Sequence, residues 1–223
     1  MNVSTDSSST SDRKRKRSNR IIIGTDDFDK IIRKKGVFID KTLFIEEWME
    51  DAADVSVILR PRRFGKSTNL SMLKSFFSFN TKSEDFERFL IGQEKEFIKE
   101  HCGKYPVVLL NMKGIGGESW EEMLSKIWSC MKEIVEYHRD HLTEEDIKFI
   151  EIDCYDTKVQ PNETVAAAFV RRLTRRLYKK YNKQVIVLID EYDAPLNHAF
   201  RSGSYDEAAN FFGEFYSNGF LNL

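Results

Sequence analysis

The sequence lacks the features of a secreted, membrane-spanning or disulfide-stabilised protein. Only three of its 223 residues are cysteines, an odd number without a C-x-x-C pair, so neither a disulfide framework nor a zinc site is expected. Its longest aliphatic runs have about five residues, whereas a membrane-spanning helix needs roughly 20. The N-terminus has no apolar segment typical of a signal peptide. These absences predict an intracellular protein with no membrane contact.

The net charge is also small, at −1, but the charges are unevenly distributed. Residues 1–20 carry six basic and two acidic side chains, which leaves a net charge of −5 on the other 203 residues. Because this segment is rich in Ser and Thr and has almost no aliphatic side chains, we predict a disordered basic tail over residues 1–20. The basic run at residues 13–17 resembles a nuclear localisation signal; the alternative is a solvated tail on a cytoplasmic protein.

The rest of the chain, residues 21–223, has the pattern of one α/β domain. Three β-branched apolar runs predict buried strands, at residues 55–59, 107–110 and 185–189. Helical spacing of apolar side chains predicts helices over residues 27–34, 41–49, 67–79, 120–138, 142–152, 162–181 and 206–216. Strands that alternate with helices imply a mostly parallel sheet covered on both faces.

The segment R-P-R-R-F-G-K-S at residues 60–67, between a predicted strand and a predicted helix, has the pattern of a phosphate-binding loop. In such a loop Gly65 lets the backbone approach a phosphate, and Lys66 places its charge on the β and γ phosphates. Ser67 offers a hydroxyl to Mg²⁺. One departure is Arg60, which stands where the first glycine of G-x-x-x-x-G-K-[ST] is usual.

Two acidic residues follow the third predicted strand. Asp190 and Glu191 would lie at the carboxyl end of a buried strand, where ligands bind in open α/β sheets. Asp190 is predicted to hold the water shell of Mg²⁺, and Glu191 to orient the attacking water. For Asp193, which precedes Ala194 and Pro195, helix capping and a second metal or water contact both stay open.

Several other features have two interpretations each. Arg62 and Arg63 either contact the nucleotide or are solvated. Asp40–Lys41–Thr42 either contributes to an adenine pocket or caps a helix. The basic face of the predicted helix 162–181 either binds nucleic acid or is a solvated surface. His138 and His141 are expected to be solvated. The glycine-rich stretch 114–117 is expected to be a plain loop.

Three segments, F-I-D-K-T (38–42), R-P-R-R-F-G-K-S-T (60–68) and L-I-D-E-Y-D-A-P-L (188–196), together resemble the AAA-ATPase-like domain family. The resemblance implies a P-loop NTPase fold, a three-layer sandwich around a mostly parallel sheet, with ATP and Mg²⁺ as cofactors. It implies catalytic roles for Lys66 and Glu191 and metal roles for Ser67 and Asp190. The predicted nucleotide contacts are Arg62, Arg63, Phe64, Gly65, Lys66, Ser67 and Thr68.

Many members of that family look like fusions to a C-terminal nuclease-like domain of the PD-(D/E)XK type, through which nucleic acid would be a partner. The topology also implies a further strand between the loop strand and the Asp–Glu strand, and no such strand is recognisable after residue 216. We therefore expect a truncated domain with an incomplete sheet. Three functions stay open: an ATPase, a module that binds ATP without turnover, and a nucleic-acid-binding protein. Oligomer formation also stays open.

Overall fold

The computed structural model describes residues 22, 24–51, 53–79, 81–152 and 160–220. The predicted basic tail, with its run at residues 13–17, and Cys154 lie outside these residues. In chain order, the helices and strands are α1 Phe28–Arg33, α2 Phe44–Glu50, α3 Lys66–Phe77, α4 Lys95–His101, β1 Val107–Asn111, α5 Trp120–Tyr137, α6 Glu144–Ile150, α7 Glu163–Ala167, α8 Phe169–Tyr181, β2 Ile186–Asp190, α9 Ala194–Ser202 and α10 Tyr205–Phe220. Short 3-10 turns occupy Ser83–Asp85, Leu90–Gln93 and Arg139–His141.

The two strands lie side by side in parallel. Their register runs from Val107 opposite Ile186 to Asn111 opposite Asp190. This confirms the predicted strands at 107–110 and 185–189 to within a residue or two. Because successive side chains of a strand point to opposite faces, each face of the sheet meets a separate hydrophobic cluster.

Helices cover both faces of this sheet. On one face Val107, Ile186 and Leu188 pack with α1 to α4. On the other face Val108 and Leu110 pack with α5 to α10. The chain is therefore an α/β structure with a parallel sheet between two helical layers. The described sheet has two strands, so it is narrower than the sheet of the predicted P-loop sandwich.

The predicted buried strand at residues 55–59 is wrong in this structure. The segment belongs to neither described strand, and Val55, Val57 and Leu59 are 51%, 61% and 76% exposed. A strand needs a neighbour to pair its backbone N–H and C=O groups. Residues 55–59 pair with neither β1 nor β2, although each of these strands has one open edge in the described sheet.

Polar caps fix several of the predicted helix starts. Asp27 accepts a hydrogen bond from the N–H of Lys30 at the start of α1, and Ser119 caps α5. Thr143 forms a capping box with Asp146 at the start of α6. Asn162 caps α7 by accepting from the N–H of Val165 at 3.0 Å, at the start of the helix predicted from residue 162.

The helix predicted over residues 162–181 is divided into α7 and α8 at Ala168. Residues 166–170 are all buried, and five consecutive buried residues cannot lie on one face of a straight helix. The break lets all five enter the core. Among the described residues, no helix has both the length and the apolar character that a membrane span requires.

Candidate functional site

The loop before α3 contains two residues with left-handed backbone. Gly65 has φ +80° and is the N-cap of α3, and Arg63 has φ +68°. Glycine adopts this conformation at little cost, whereas an L side chain such as that of Arg63 does so rarely. The loop is exposed at its tip, where the Phe64 side chain is 60% exposed. The backbone thus turns sharply just before the helix, as a phosphate-binding loop requires.

The side chain of Lys66 folds back over this loop. Its Nζ donates to the carbonyl oxygen of Arg60 at 2.7 Å and lies 3.5 Å from that of Pro61. The N–H groups of Lys66, Ser67 and Thr68, in the first turn of α3, donate no hydrogen bond to any described residue, and α3 has no side-chain cap. Free N–H groups and the positive end of a 12-residue helix favour an anion at this point.

The end of α3 lies at the end of the sheet where β1 begins. The end of α3 is tied to the start of β1, because the N–H of Tyr105 donates to the carbonyl oxygen of Phe77 at 3.0 Å. From there α3 packs along β2. A 12-residue helix is about 18 Å long and a five-residue strand about 17 Å, so α3 is about as long as the strands against which it packs.

Asp190 is the last residue of β2, at the carboxyl end of the sheet, and is buried, with 7% of its surface exposed. Its Oδ1 accepts from the N–H of Glu191 at 3.1 Å, and its carbonyl oxygen accepts from Met112 at 3.0 Å. Glu191 is exposed and has φ +53°. Such a conformation costs a residue with a side chain about 1 kcal/mol or more and is concentrated at functional sites.

The turn after Glu191 is held by bonds to α9 and α10. The Tyr216 hydroxyl donates to the carbonyl oxygen of Tyr192 at 2.9 Å, and the N–H of Ala194 donates to that of Glu191 at 2.9 Å. Asp193 occupies the predicted N-cap position of α9, but its carboxylate accepts from the side chain of Asn197 at 3.1 Å instead of from a backbone N–H. These bonds fix the backbone that carries Glu191.

The loop and the Asp–Glu turn are not directly bonded. Within the described residues, no hydrogen bond or ion pair joins Lys66 or Ser67 to Asp190 or Glu191. No described group of three or more His, Cys, Asp or Glu side chains could hold a metal ion by itself. The hydroxyl of Ser67 and the carboxylate of Asp190 are the oxygen ligands that Mg²⁺ prefers when phosphate and water complete its shell, so these residues fit the predicted ion.

The basic face of α8 and His138 differ from what the sequence predicts. Two arginines of this face form ion pairs within the chain: Arg172 pairs with Glu151 at 2.9 Å, and Arg176 pairs with Asp146 at 3.4 Å. The prediction that the two histidines are solvated is wrong for His138, which is 4% exposed. Its burial, with the nearby His141 and Lys74 charges, lowers its pKa to about 4.

His141 is hydrogen-bonded through its ring to the hydroxyl of Tyr181. The stretch 114–117 is a plain loop, as predicted. Arg62 and Arg63 are exposed, and no described ion pair involves either of them.

Lys41 is expected either in an adenine pocket or at a helix start. In the structure its Nζ lies 3.4 Å from the carbonyl oxygen of Phe64 in the loop. The F-I-D-K-T segment marks Lys41 as a residue of interest in the sequence, but it does not reveal that Lys41 contacts the loop.

Comparison with known proteins gives one match. No curated protein and no solved structure matches the chain significantly. A family model described as a predicted AAA-ATPase matches residues 22–220, nearly all of the chain. This range contains the loop at 60–68 and the turn at Asp190 and Glu191. The chain therefore belongs to the AAA-ATPase-like family.

Proposed function

We propose that this chain binds ATP with Mg²⁺ through the loop at residues 60–68 and hydrolyses it with the help of Asp190 and Glu191. The observation that carries the proposal is the start of α3, where three N–H groups lack a described acceptor beside the Lys66 ammonium. Backbone donors, a helix N-terminus and a lysine together match the charge of a polyphosphate. Membership of a family described as predicted AAA-ATPase supports the same conclusion.

Each residue has a defined task in this proposal. Lys66 exchanges its loop carbonyl partners for phosphate oxygens, and the N–H groups at the start of α3 bind the same phosphates. Mg²⁺, held by Ser67 and Asp190, would neutralise charge on the phosphate oxygens. Glu191 orients a water molecule whose oxygen bonds to the γ phosphorus while the bond from that phosphorus to the β–γ bridging oxygen breaks. ADP leaves with that bridging oxygen, and Glu191 receives the proton of the water.

Isothermal titration calorimetry of the 223-residue chain with Mg²⁺ and a non-hydrolysable ATP analogue tests the binding step. We expect measurable affinity in the parent and none in Lys66→Ala. Lys99→Ala is a matched control, because Lys99 is an exposed lysine on α4 with no described bond to the loop. Equal affinity in Lys66→Ala and the parent would contradict the proposed site.

A second candidate function is a module that binds ATP without turnover. The specific observation in its favour is the lack of a described bond between the loop and the Asp190–Glu191 turn, together with the unpaired segment 55–59. A phosphate-release assay separates the two functions. Multiple turnovers support the ATPase, whereas binding without released phosphate supports the module.

A further inference from the structure

The tripeptide Asp40–Lys41–Thr42 is fixed to the 3-10 turn that begins at Leu90. Oδ1 of Asp40 accepts from the N–H of Thr42 at 2.9 Å and from its hydroxyl at 2.7 Å. Oδ2 of Asp40 accepts from the N–H of Leu90 at 2.9 Å, and the Thr42 hydroxyl accepts from Ile91 at 3.0 Å. Thr42 is fully buried. Four hydrogen bonds therefore fix the residues on either side of Lys41.

Lys41 itself is exposed and extends towards the phosphate-binding loop. Its Nζ is 3.4 Å from the carbonyl oxygen of Phe64, and it is 4.0 Å from the position that a Cβ on Gly65 would occupy. A lysine ammonium has three donors, and this one has a single long contact with a neutral acceptor. The described residues supply no carboxylate to it. Its capacity to bind an anion is therefore largely unused.

Two ammonium groups thus contact the carbonyl oxygens of one short loop. Lys66 contacts the carbonyl of Arg60 at the start of the loop, and Lys41 contacts the carbonyl of Phe64 near its end. Neither lysine belongs to an ion pair among the described residues. Like charges on the same few residues repel one another, and an anion that lies between them removes that cost.

We propose that Lys41 is a second phosphate-binding cation of this site, which exchanges the Phe64 carbonyl for an oxygen of the polyphosphate of a nucleoside triphosphate. The inference rests on the proposed nucleotide site. Asp40 and Thr42 are positioning residues, because their bonds to Leu90 and Ile91 hold the backbone from which Lys41 extends. Charge is the property that matters, so an arginine at position 41 retains the function.

The test is calorimetry of the full chain with Mg²⁺ and a non-hydrolysable ATP analogue, with the melting temperature of each nucleotide-free protein as a second measurement. Loss of one charge-assisted contact predicts that Lys41→Met weakens binding about 10- to 100-fold. Because Lys41 is exposed, the nucleotide-free melting temperature stays close to that of the parent. Lys41→Arg binds within about threefold of the parent. The matched control Lys99→Met retains full affinity.

Further results distinguish phosphate binding by Lys41 from a structural role. Thr42→Val lowers both the affinity and the nucleotide-free melting temperature, because it removes bonds of the positioning residues. If Lys41→Met binds as tightly as the parent while Lys66→Ala does not bind, the role of Lys41 is refuted and the proposed function stands. If Lys41→Met lowers the melting temperature as Thr42→Val does, or if Lys41→Arg fails to restore affinity, Lys41 is a structural residue. Absence of binding by the parent refutes both proposals.

Discussion

Asn111 and Asp190 are register partners at the carboxyl ends of the two parallel strands. The next N–H after Asn111, that of Met112, donates to the carbonyl oxygen of Asp190 at 3.0 Å. The paired strands therefore end at the same level, and the chain leaves β2 directly into Glu191. The backbone of Glu191 is therefore fixed by the sheet on one side and by the turn to α9 on the other.

The first prediction concerns Glu191. If it orients the attacking water, Glu191→Gln reduces phosphate release by about 100-fold or more, while the affinity for a non-hydrolysable ATP analogue stays within about threefold. Glu207→Gln on α10 is the control, because Glu207 is an exposed acid distant in sequence from the Asp–Glu turn. Turnover that is unchanged in Glu191→Gln would show that another group performs this step.

The second prediction concerns the backbone of Glu191, at φ +53°. Glycine adopts this conformation without a Cβ penalty, so Glu191→Gly is expected to raise the free energy of unfolding by about 0.5–1 kcal/mol and to abolish turnover. Lys35 has φ +54° and is exposed outside the site. Urea denaturation should therefore show a similar gain for Lys35→Gly, with turnover retained. A loss of stability in Glu191→Gly alone would mean that its side chain makes structural contacts.

The third prediction concerns His138, which is buried against Val107 at the edge of the sheet. Burial lowers its pKa from about 6.5 to about 4, so the folded protein holds it neutral. Between pH 4 and 6.5 the unfolded chain binds more protons at this residue than the folded chain. Stability from His138 is therefore complete above pH 6.5 and falls as the pH drops towards 4, by up to about 3 kcal/mol.

Urea denaturation of the parent and of His138→Gln over pH 4.5 to 7.5 measures this effect. The unfolding free energy of the parent minus that of the variant should increase with pH up to about 6.5 to 7 and then level off. A constant difference at every pH would show that the titration of His138 does not contribute to folding.

The fourth prediction concerns ligand stabilisation. A nucleotide that contacts both the loop and the Asp190–Glu191 turn stabilises the folded chain by mass action, by about 2.7 kcal/mol at a hundredfold excess over Kd. Mg²⁺-ATP should therefore raise the melting temperature by several degrees in a chain of this size. Lys66→Ala should show no such increase. If Mg²⁺-ATP does not change the melting temperature of the parent protein, the proposed site is contradicted.

The fifth prediction concerns the exposed segment 55–59. Its unpaired backbone and its exposed Val57 and Leu59 are a template for association with other chains, so residues 21–223 are expected to associate as concentration increases. Sedimentation velocity should show less association for the double variant Val57→Thr, Leu59→Thr than for the parent. Phe200→Gln, which removes a single side chain that is 75% exposed on α9, should leave it unchanged. Equal association in all three proteins would exclude this segment as the cause.

Local sequence patterns were sufficient for most of the secondary structure. The apolar spacing identified α5, because this signal depends on residues close together in the chain; the structure adds the cap at Ser119. The runs at 107–110 and 185–189 identified both strands, since each is bounded by turn or polar residues. The loop and the helix that follows it were also recognisable, because Gly65 and Lys66 belong to a motif that is continuous in sequence, but the strand predicted before the loop is absent from the described structure.

The tertiary structure decided what depends on neighbours that are distant in sequence. Residues 55–59 have as strong a strand pattern as the other two runs, yet a strand forms only where a second strand pairs with it, and composition cannot reveal that partner. His138 continues the helical spacing of the buried Ile134 and Val135, but the residue type argued for exposure; it is buried because α5 brings it against Val107. Lys41 was visible as part of a motif, but its contact with Phe64, 23 residues later, depends on the bonds of Asp40 and Thr42 to the turn at Leu90. Local patterns thus determined most of the helices and strands and the residue types of the loop, whereas packing decided which side chains meet there.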